Sequence, residues 1–439
     1  MFDFSEKDSC GVGFIASRNI PPTHGMTLKV LECLANLDHR GAKFADGTGD
    51  GAGVLTEIPF ELIRAELKEL SIDLDEKTKI GIISCFFDPK NVDESIDLIN
   101  EELEQYGIKH LYWRKVPTDK QVLGDLAKKS KPSIYQGIVS AEKENHKEFE
   151  KKLFLFRKTL EKKIKEIDFL NIHINSCSSK TVVYKGLFTA TQTSDFYWDL
   201  RNPLYKTRFG IFHQRFSTNT SSTWDKAQPF RMLAHNGEIN TIQSNLSWMK
   251  AREVDASSSF WKDDIEKLKP FIDDGISDSG QLDNAIELLV RSGRTLAHSQ
   301  EMLIPSAWEN NPRFTNKEKA FYQYHAFLTE PWDGPAAIVA SDGKDIIAGL
   351  DRSGLRPLRW MISDRYVLAA SEVGICPSVE AGAFKTAQLE PGQTIRYRLE
   401  TDELLDESEV IEKLSDKNPY EDWVNSRPLI VDQKYSDKE

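Results

Sequence analysis

Short strand patterns alternate with amphipathic helix patterns from the beginning of this chain, and this alternation restricts the fold to a mixed α and β class. Residues 11–17 (GVGFIAS) and 53–58 predict strands, whereas residues 26–38 and 60–70 predict helices. Between about residues 335 and 400 the pattern changes to short strands joined by the turn signals SDGK, DRSG and EPGQ, which predict antiparallel hairpins. We therefore expect interleaved helices around a sheet core that hairpins complete.

The net charge of the chain limits the classes of molecule that it is expected to bind. Acidic residues outnumber basic residues by 69 to 57, giving a formal net charge of -12, which disfavours electrostatic association with nucleic acid or anionic membranes. The sequence has no apolar run of about 18 residues, and its opening MFDFSEKDSC lacks the basic and apolar parts of a signal peptide. A cytoplasmic protein whose partners are small molecules or other proteins is the expectation.

The cysteines and histidines do not follow metal-ligand spacings. The five cysteines form no CxxC pair, which argues against a zinc ribbon, an iron–sulfur cluster or a disulfide scaffold. Cys33 lies in a helical apolar stripe and Cys85 in the apolar run IGIISCFF, so both are predicted core residues. No metal is predicted. Cys10 stands directly before a strand, where it is either a small buried residue or a reactive thiol.

Four segments together resemble the amidotransferase domain of the glutamate synthase large subunit, over nearly all of residues 10–400. They are CGVGFIAS with LDHRGAKFADGTGDGAGV, HQRFSTNT with AQPFRMLAHNGEINT, SDSGQLDNAIELLVRSGR, and EPWDGPAA with LDRSGLRPLRW. Small departures are Ser353 where the family usually has asparagine, NTIQSN in place of NTxRGN, and Ser222 where a proline is common. None of them touches the expected catalytic residues.

The resemblance implies an α+β fold of the N-terminal-nucleophile (Ntn) hydrolase type, with two antiparallel sheets stacked between helix layers. It also implies a division of the chain. Residues 1–9 would be a leader that is removed, residues 10–400 the class II glutamine amidotransferase domain, and residues 401–439 an acidic tail or linker.

The resemblance further implies a mechanism centred on Cys10. In that family the cysteine is the first residue of the mature chain, and its own α-amino group, with a pKa of about 8, accepts the thiol proton. The Asn236 side chain and the Gly237 N–H would form the oxyanion hole. Taken alone, an Asn-Gly pair predicts a hairpin turn instead.

Glutamine carries an α-carboxylate and an α-ammonium group, so a specific site needs a cation and an anion. By resemblance, Arg215 would bind the carboxylate with help from the Thr218 hydroxyl, and Asp278 would bind the ammonium. Arg40 is similar to a family arginine near the nucleophile. Each charged group has a simpler interpretation: a surface ion pair for Arg215, a helix N-cap for Asp278, and a favourable charge at a helix C-terminus for Arg40.

The implied activity is the glutaminase half-reaction of glutamate synthase, in which L-glutamine is hydrolysed to glutamate and ammonia. The ammonia would pass to an FMN-binding barrel region, in the same chain or a partner chain, that acts on 2-oxoglutarate. FMN and an iron–sulfur cluster are expected only in that region, and no cofactor is expected here. Two alternatives remain: an amidotransferase that serves another acceptor, and a non-catalytic module that binds glutamine.

Overall fold

The computed structural model describes residues 10–75, 77–141, 144–167, 169–215 and 222–426. The strands are β1 (Gly11–Ser17), β2 (Ala52–Glu57), β3 (Lys79–Phe87), β4 (Lys109–Lys115), β5 (Ser133–Ala141), β6 (Ile172–Ser178), β7 (Thr181–Gly186), β8 (Phe209–Gln214), β9 (Leu233–Gly237), β10 (Ala336–Ser341), β11 (Asp345–Leu350), β12 (Arg359–Ser363), β13 (Tyr366–Ala370), β14 (Ala383–Gln388), β15 (Thr394–Arg398) and β16 (Glu403–Leu405). The α-helices are α1 (His24–Ala35), α2 (Phe60–Glu69), α3 (Val92–Gln105), α4 (Asp125–Lys129), α5 (His146–Lys165), α6 (Thr193–Phe196), α7 (Ile242–Val254), α8 (Asp278–Arg291), α9 (Leu296–Leu303), α10 (Asn316–Ala326), α11 (Pro377–Glu380), α12 (Glu407–Ser415) and α13 (Tyr420–Asn425). Short 3-10 helices lie at Asp38–Arg40, Lys120–Val122, Trp198–Arg201 and Lys262–Leu268.

Two antiparallel sheets form the centre of the fold. The first has the strand order β14-β12-β13-β1-β8-β2-β7 and the second the order β16-β15-β11-β10-β9. Their facing sides share one apolar core, to which β1 contributes Val12 and Phe14 and β10 contributes Ala337 and Val339. Helices α1 and α2 cover the outer face of the first sheet, and α8, α9 and α10 cover the outer face of the second. The predicted αββα sandwich is therefore confirmed.

A third sheet, with the strand order β4-β5-β3-β6, was not predicted. Ile82 and Ile138 on one face pack into the core beneath the first sheet. Ile83 and Val139 on the other face pack against α3 and α5. Because both faces are buried, β3 reads as a continuous apolar run, and such a run indicates burial without revealing the partner strand.

The prediction of antiparallel hairpins between about residues 335 and 400 is correct in part. The SDGK turn joins β10 to β11 as a hairpin, and β12 pairs with β13. The DRSG and EPGQ turns instead carry the chain between the two sheets, and they contact each other through the Gly392 N–H, which donates to the Asp351 carbonyl at 2.8 Å. The turn residues specify a change of direction, whereas the choice of partner strand follows from the burial of whole faces.

The described part of the predicted tail packs on the outer helices of the second sheet. Val410, Ile411 and Leu414 from α12 and Tyr420 from α13 are buried there with the side chains of α8 and α10. Asp406 begins α12 with a capping box, in which its side chain and that of Glu409 each accept the other residue's backbone N–H. The boundary at residue 400 stays a prediction.

Candidate active site

Three strand ends lie side by side at one end of the sandwich. In the first sheet β1 begins where β8 ends, because Gly11 pairs with Gln214. On the other side of β8, the Arg215 N–H donates to the Gly51 carbonyl at 2.8 Å, just before β2 begins. Extending the ladders by one residue therefore puts Cys10, Arg215 and Gly51 level with one another. We call this end of the sandwich the site edge.

The side chain of Cys10 belongs to the face that looks toward the second sheet. Side chains alternate along a strand, and Val12 and Phe14 lie in the core between the sheets, so Cys10 shares their face. The same alternation from Ile211 puts Arg215 on this face. Cys10 is half-buried, whereas the other four cysteines are buried. The nucleophile and the cation predicted from the sequence are therefore neighbours on one surface.

Arg215 is 8% exposed, and a bridge of polar groups holds its guanidinium. Nη1 donates to the Ser222 hydroxyl at 3.1 Å and to the Asp50 carbonyl at 3.5 Å, and the Ser222 hydroxyl donates to the Asp50 carboxylate at 2.8 Å. Asp50 belongs to the glycine-rich segment DGTGDGAG at residues 46–53. The departure from the family at Ser222 thus supplies a hydroxyl to the site. Thr218 lies outside the described residues.

Asn236 and Gly237 end β9 in the second sheet, where they pair with Ala337 and Ala336. Asn236 is 1% exposed, and its Nδ2 has no hydrogen-bond partner among the described residues. Gly237 has a φ of 146°, and a Cβ there would lie 1.7 Å from the Pro335 carbonyl oxygen, so the backbone requires glycine. Because both residues lie within a strand, the hairpin-turn interpretation is wrong.

A histidine contact joins β8 to β9 near the site edge. His213 Nε2 lies 3.2 Å from the His235 carbonyl and donates to it, since a carbonyl can only accept. The Gln228 side chain accepts the His235 N–H at 2.7 Å and donates to the same carbonyl at 3.2 Å. Burial lowers the pKa of His213 to about 3, so its imidazole is neutral.

These contacts fix the backbone one residue before Asn236. Alternation from Ala234, which lies in the core between the sheets, points the Asn236 side chain toward the first sheet and the surface that holds Cys10. His213 and Gln228 both lie within the motif segments quoted above. Their role was missed because it depends on which strands of the two sheets face each other.

Asp278 is the first residue of α8, and the N-cap is its neighbour Ser277, whose hydroxyl accepts the Gly280 N–H. The N-cap interpretation of Asp278 is therefore wrong by one residue. One carboxylate oxygen of Asp278 accepts the Ile239 N–H at 2.9 Å, and the other accepts the Ser279 N–H at 2.7 Å. This half-buried anion consequently lies against the segment that follows the Asn-Gly pair.

Arg40 lies in the 3-10 turn Asp38–Arg40 after α1, and its guanidinium is held by Glu372. Nε donates to the carboxylate at 2.6 Å, and His39 contacts the other carboxylate oxygen at 2.8 Å. A Cβ at the next residue, Gly41, would lie 2.1 Å from Gln214 Nε2, and alternation from Phe212 puts Gln214 on the outer, helix-covered face of the first sheet. Arg40 is therefore close to the site edge but on the opposite face from the Cys10 side chain, and its role in binding stays a prediction.

Within the described ranges, no three or more His, Cys, Asp or Glu side chains are grouped so that they could hold a metal ion. In the same part of the chain, none of the helices has the length and apolar character needed to span a bilayer.

Comparison with known sequences identifies the class to which this constellation belongs. The profile of the class-II glutamine amidotransferases matches residues 10–423, so the chain belongs to this family of enzymes. It is 40% identical over 433 residues to the glutamate synthase [NADPH] large chain of Bacillus subtilis, a match that covers 97% of this chain and 28% of that protein. It is 39% identical over 429 residues to the chloroplastic ferredoxin-dependent glutamate synthase of Oryza sativa subsp. japonica, covering 96% of this chain and 27% of that one.

These matches confirm the resemblance that the four segments carry. The chain spans little more than a quarter of the length of these relatives. Among solved structures, it is similar to the glutamine phosphoribosylpyrophosphate amidotransferase of B. subtilis, with 18% identity, a TM-score of 0.31, and coverage of 52% of this chain and 40% of that chain. A glutamine aminotransferase class-II domain protein of Silicibacter pomeroyi matches with 15% identity, a TM-score of 0.28, and coverage of 52% of this chain and 85% of that chain.

Proposed function

We propose that this chain performs the glutaminase half-reaction of a glutamate synthase, with Cys10 as the nucleophile. The observation that carries the proposal is the site edge itself. There a half-buried cysteine at a strand start, a buried arginine beside it and a buried amide, whose Nδ2 has no partner among the described residues, share the space between two sheets. A thiol nucleophile, a carboxylate-binding cation and an oxyanion donor are the groups that cutting a glutamine side chain needs.

Removal of residues 1–9 would give Cys10 a free α-amino group. This amine accepts the thiol proton, and the thiolate attacks the side-chain carbonyl of glutamine. The Asn236 amide and the Gly237 N–H stabilise the oxyanion of the tetrahedral intermediate. The amine then returns the proton to the departing ammonia.

The second half of the reaction releases glutamate. A water molecule gives a proton to the same α-amine and attacks the γ-glutamyl thioester, and the Cys10 thiolate leaves and takes up that proton. Arg215 and Thr218 hold the α-carboxylate of the substrate, and Asp278 holds its α-ammonium group. Support for Arg215 comes from its burial and from the hydroxyl bridge that orients it.

The ammonia would then serve a synthase region that acts on 2-oxoglutarate, with the FMN and the iron–sulfur cluster in that region. This part of the proposal draws on the names of the relatives, which are glutamate synthases. The redox chemistry lies wholly in that region, so each step on this chain is a proton transfer or an acyl transfer.

Intact mass tests the proposal without requiring turnover. The purified protein is weighed before and after exposure to a glutamine-like diazoketone, alongside Cys10→Ala and Cys33→Ala variants. We expect a chain that starts at Cys10 and gains one adduct, which the Cys10→Ala variant lacks and the Cys33→Ala variant keeps, because Cys33 is buried.

Retention of the leader without an adduct would contradict the catalytic proposal. The chain would then be a glutamine-binding module, and glutamine binding without glutamate release would identify it as such. Labelling at Cys10 together with ammonia transfer to an acceptor other than 2-oxoglutarate would instead point to a different amidotransferase.

A further inference from the structure

The connection at residues 351–358 runs from β11 in the second sheet to β12 in the first sheet. It crosses at the site edge, because the Asp351 carboxylate accepts the N–H of Ala336 at 2.9 Å, at the start of the strand that pairs with β9. This segment therefore spans the same end of the sandwich at which Cys10 and Asn236 lie. The sequence analysis assigned it no chemical role.

The strand register locates Arg356 within this connection. Arg359 at the start of β12 pairs with Ala370 of β13, and Ala370 also pairs with Gly13 of β1. Strands β12 and β1 thus run in the same direction on either side of β13. Counting back three residues from Arg359 and from Gly13 puts Arg356, in the connection just before β12, level with Cys10, just before β1.

The faces of the strand settle the direction of the Arg356 side chain. Leu358 and Trp360 lie in the core between the two sheets, and the residue two positions before Leu358 shares their face. Pro357 favours an extended backbone at the residue before it, and the exposures keep alternating, because Leu355 and Pro357 are exposed whereas Arg356 is half-buried. Arg356 therefore points into the space between the sheets, on the same face as Cys10.

The electrostatics agree with this position. Burial lowers the pKa of the His235 imidazole, and the positive charge of Arg356 lowers it further, whereas Asp278 and Asp351 oppose the shift. Arg356 is thus close to the strand that carries the oxyanion donor. Its Nε is buried and has no hydrogen-bond partner among the described residues. A buried donor of a charged group without a partner is costly, and an anion bound at the site would remove that cost.

We propose that Arg356 is a positioning residue for the Cys10 reaction, whose charge stabilises the thiolate and the oxyanion. The inference rests on the proposed function. Arg215 flanks Cys10 from the β8 side and is the candidate for the substrate carboxylate, so Arg356 on the β12 side supplies a second cation. Arg40 is less suited to this role, because its guanidinium is held by Glu372 on the outer face of the sheet.

The test measures the alkylation of Cys10 by iodoacetamide as a function of pH, in protein that starts at Cys10. Iodoacetamide carries none of the α-groups of glutamine, so its rate reports the thiolate and not substrate binding. The variants are Arg356→Gln and Arg356→Met, which remove the charge, and Arg356→Lys, which keeps it. Arg359→Gln is the matched control, because Arg359 is exposed on the outer side of the same strand start.

We expect loss of the charge to raise the midpoint of the Cys10 profile by about one pH unit, so that alkylation below the midpoint slows about tenfold. Arg356→Lys should stay close to the wild-type profile, and Arg359→Gln should match it. A structural role alone would lower the melting temperature without moving the midpoint.

Two results would overturn the inference. One is a profile for Arg356→Gln that superimposes on the wild-type profile, and the other is unfolding of both charge-removing variants, which would make the guanidinium a structural group. Diazoketone labelling of the wild-type protein is run in parallel. If the wild type is labelled and the variants show no shift, only the inference about Arg356 fails, whereas absence of wild-type labelling means that the proposed function itself fails.

Discussion

Arg114 in the four-stranded sheet and two donors at the site edge differ in how they are paired. In β4 the Arg114 side chain is 4% exposed, and it donates to the carboxylates of Glu66 and Asp199 and to Gln136 at distances between 2.6 and 2.9 Å. At the site edge, Asn236 Nδ2 and Arg356 Nε are buried without partners among the described residues. The Arg114 cation is thus paired with protein groups, whereas the two donors at the site edge remain available to a ligand.

This difference separates stability from chemistry. A buried polar group that lacks a partner costs free energy, so a stable core pairs such groups wherever it can. A binding site accepts the cost because the ligand or the transition state later provides the missing acceptor. Removing a paired group should therefore affect unfolding, and removing an open donor should affect the reaction.

The largest effect on stability is expected when the ion pairs of Arg114 are removed. Arg114→Met leaves the buried Asp199 carboxylate with the Tyr184 hydroxyl at 2.8 Å but without its cation. We expect the free energy of unfolding to fall by about 3–5 kcal/mol. Urea denaturation measures this loss, and diazoketone labelling of the folded protein should keep its rate.

A matched control for this variant is Arg313→Met, because Arg313 pairs with Glu390 on the surface. Its loss should cost less than about 1 kcal/mol. Equal costs for the two substitutions would show that the pairing in the four-stranded sheet does not stabilise the fold.

The opposite pattern is expected at the site edge. Asn236→Ala removes an oxyanion donor, so the rate of glutamine hydrolysis should fall by a factor of about 10²–10³. The unfolding free energy should change little, because Nδ2 has no partner to lose among the described residues.

Asn245→Ala is the corresponding control, because the side-chain amide of Asn245 is paired. Its Nδ2 donates to the Pro331 carbonyl at 2.9 Å, so the substitution should lower stability by about 1–3 kcal/mol and leave the hydrolysis rate close to that of the wild type. If Asn245→Ala hydrolysed glutamine slowly but kept the stability of the wild type, the distinction between unpaired and paired groups would be wrong.

A pair of buried histidines in the outer helices makes the stability of the fold depend on pH. His298 Nε2 lies 2.7 Å from His325 Nε2, and burial lowers the pKa of His298 to about 3 and that of His325 to about 4. In the unfolded chain each imidazole gains a proton near pH 6.5. Below that pH the unfolded state binds more protons, so the free energy of unfolding falls as the pH drops from 6.5 toward 4.

We expect each imidazole of this pair to remove about 2 kcal/mol of stability by pH 4.5. Urea midpoints measured between pH 7 and 4.5 provide the check. The double variant His298→Leu and His325→Leu should flatten this part of the profile. An unchanged slope in the double variant would assign the acid sensitivity to other groups.

Much of the sandwich and part of the site could be predicted from the sequence. Cys10, Asn236 and Gly237 were predicted because the segments that contain them resemble a known family, whereas the faces of their side chains follow only from the strands of the structure. The third sheet was missed because its strands bury both faces. The contact of His213 with β9 and the proposed role of Arg356 were missed because they depend on pairings between segments far apart in the chain, and local patterns carry no information on such pairings.

The smallest effect is expected far from both regions, at the start of α10. Thr315 and Glu318 form a capping box, in which the Glu318 carboxylate accepts the Thr315 N–H at 2.7 Å and the Thr315 hydroxyl accepts the Glu318 N–H at 3.3 Å. Thr315→Ala should cost about 1 kcal/mol of stability, measured by urea denaturation, while Thr315→Ser should retain most of it. Neither variant should alter the rate or the pH midpoint of Cys10 labelling, because an exposed cap contributes to helix stability alone. A change in labelling would mean that the outer helices and the site edge are energetically coupled, and the separation of stability from chemistry would then hold only within the sheets.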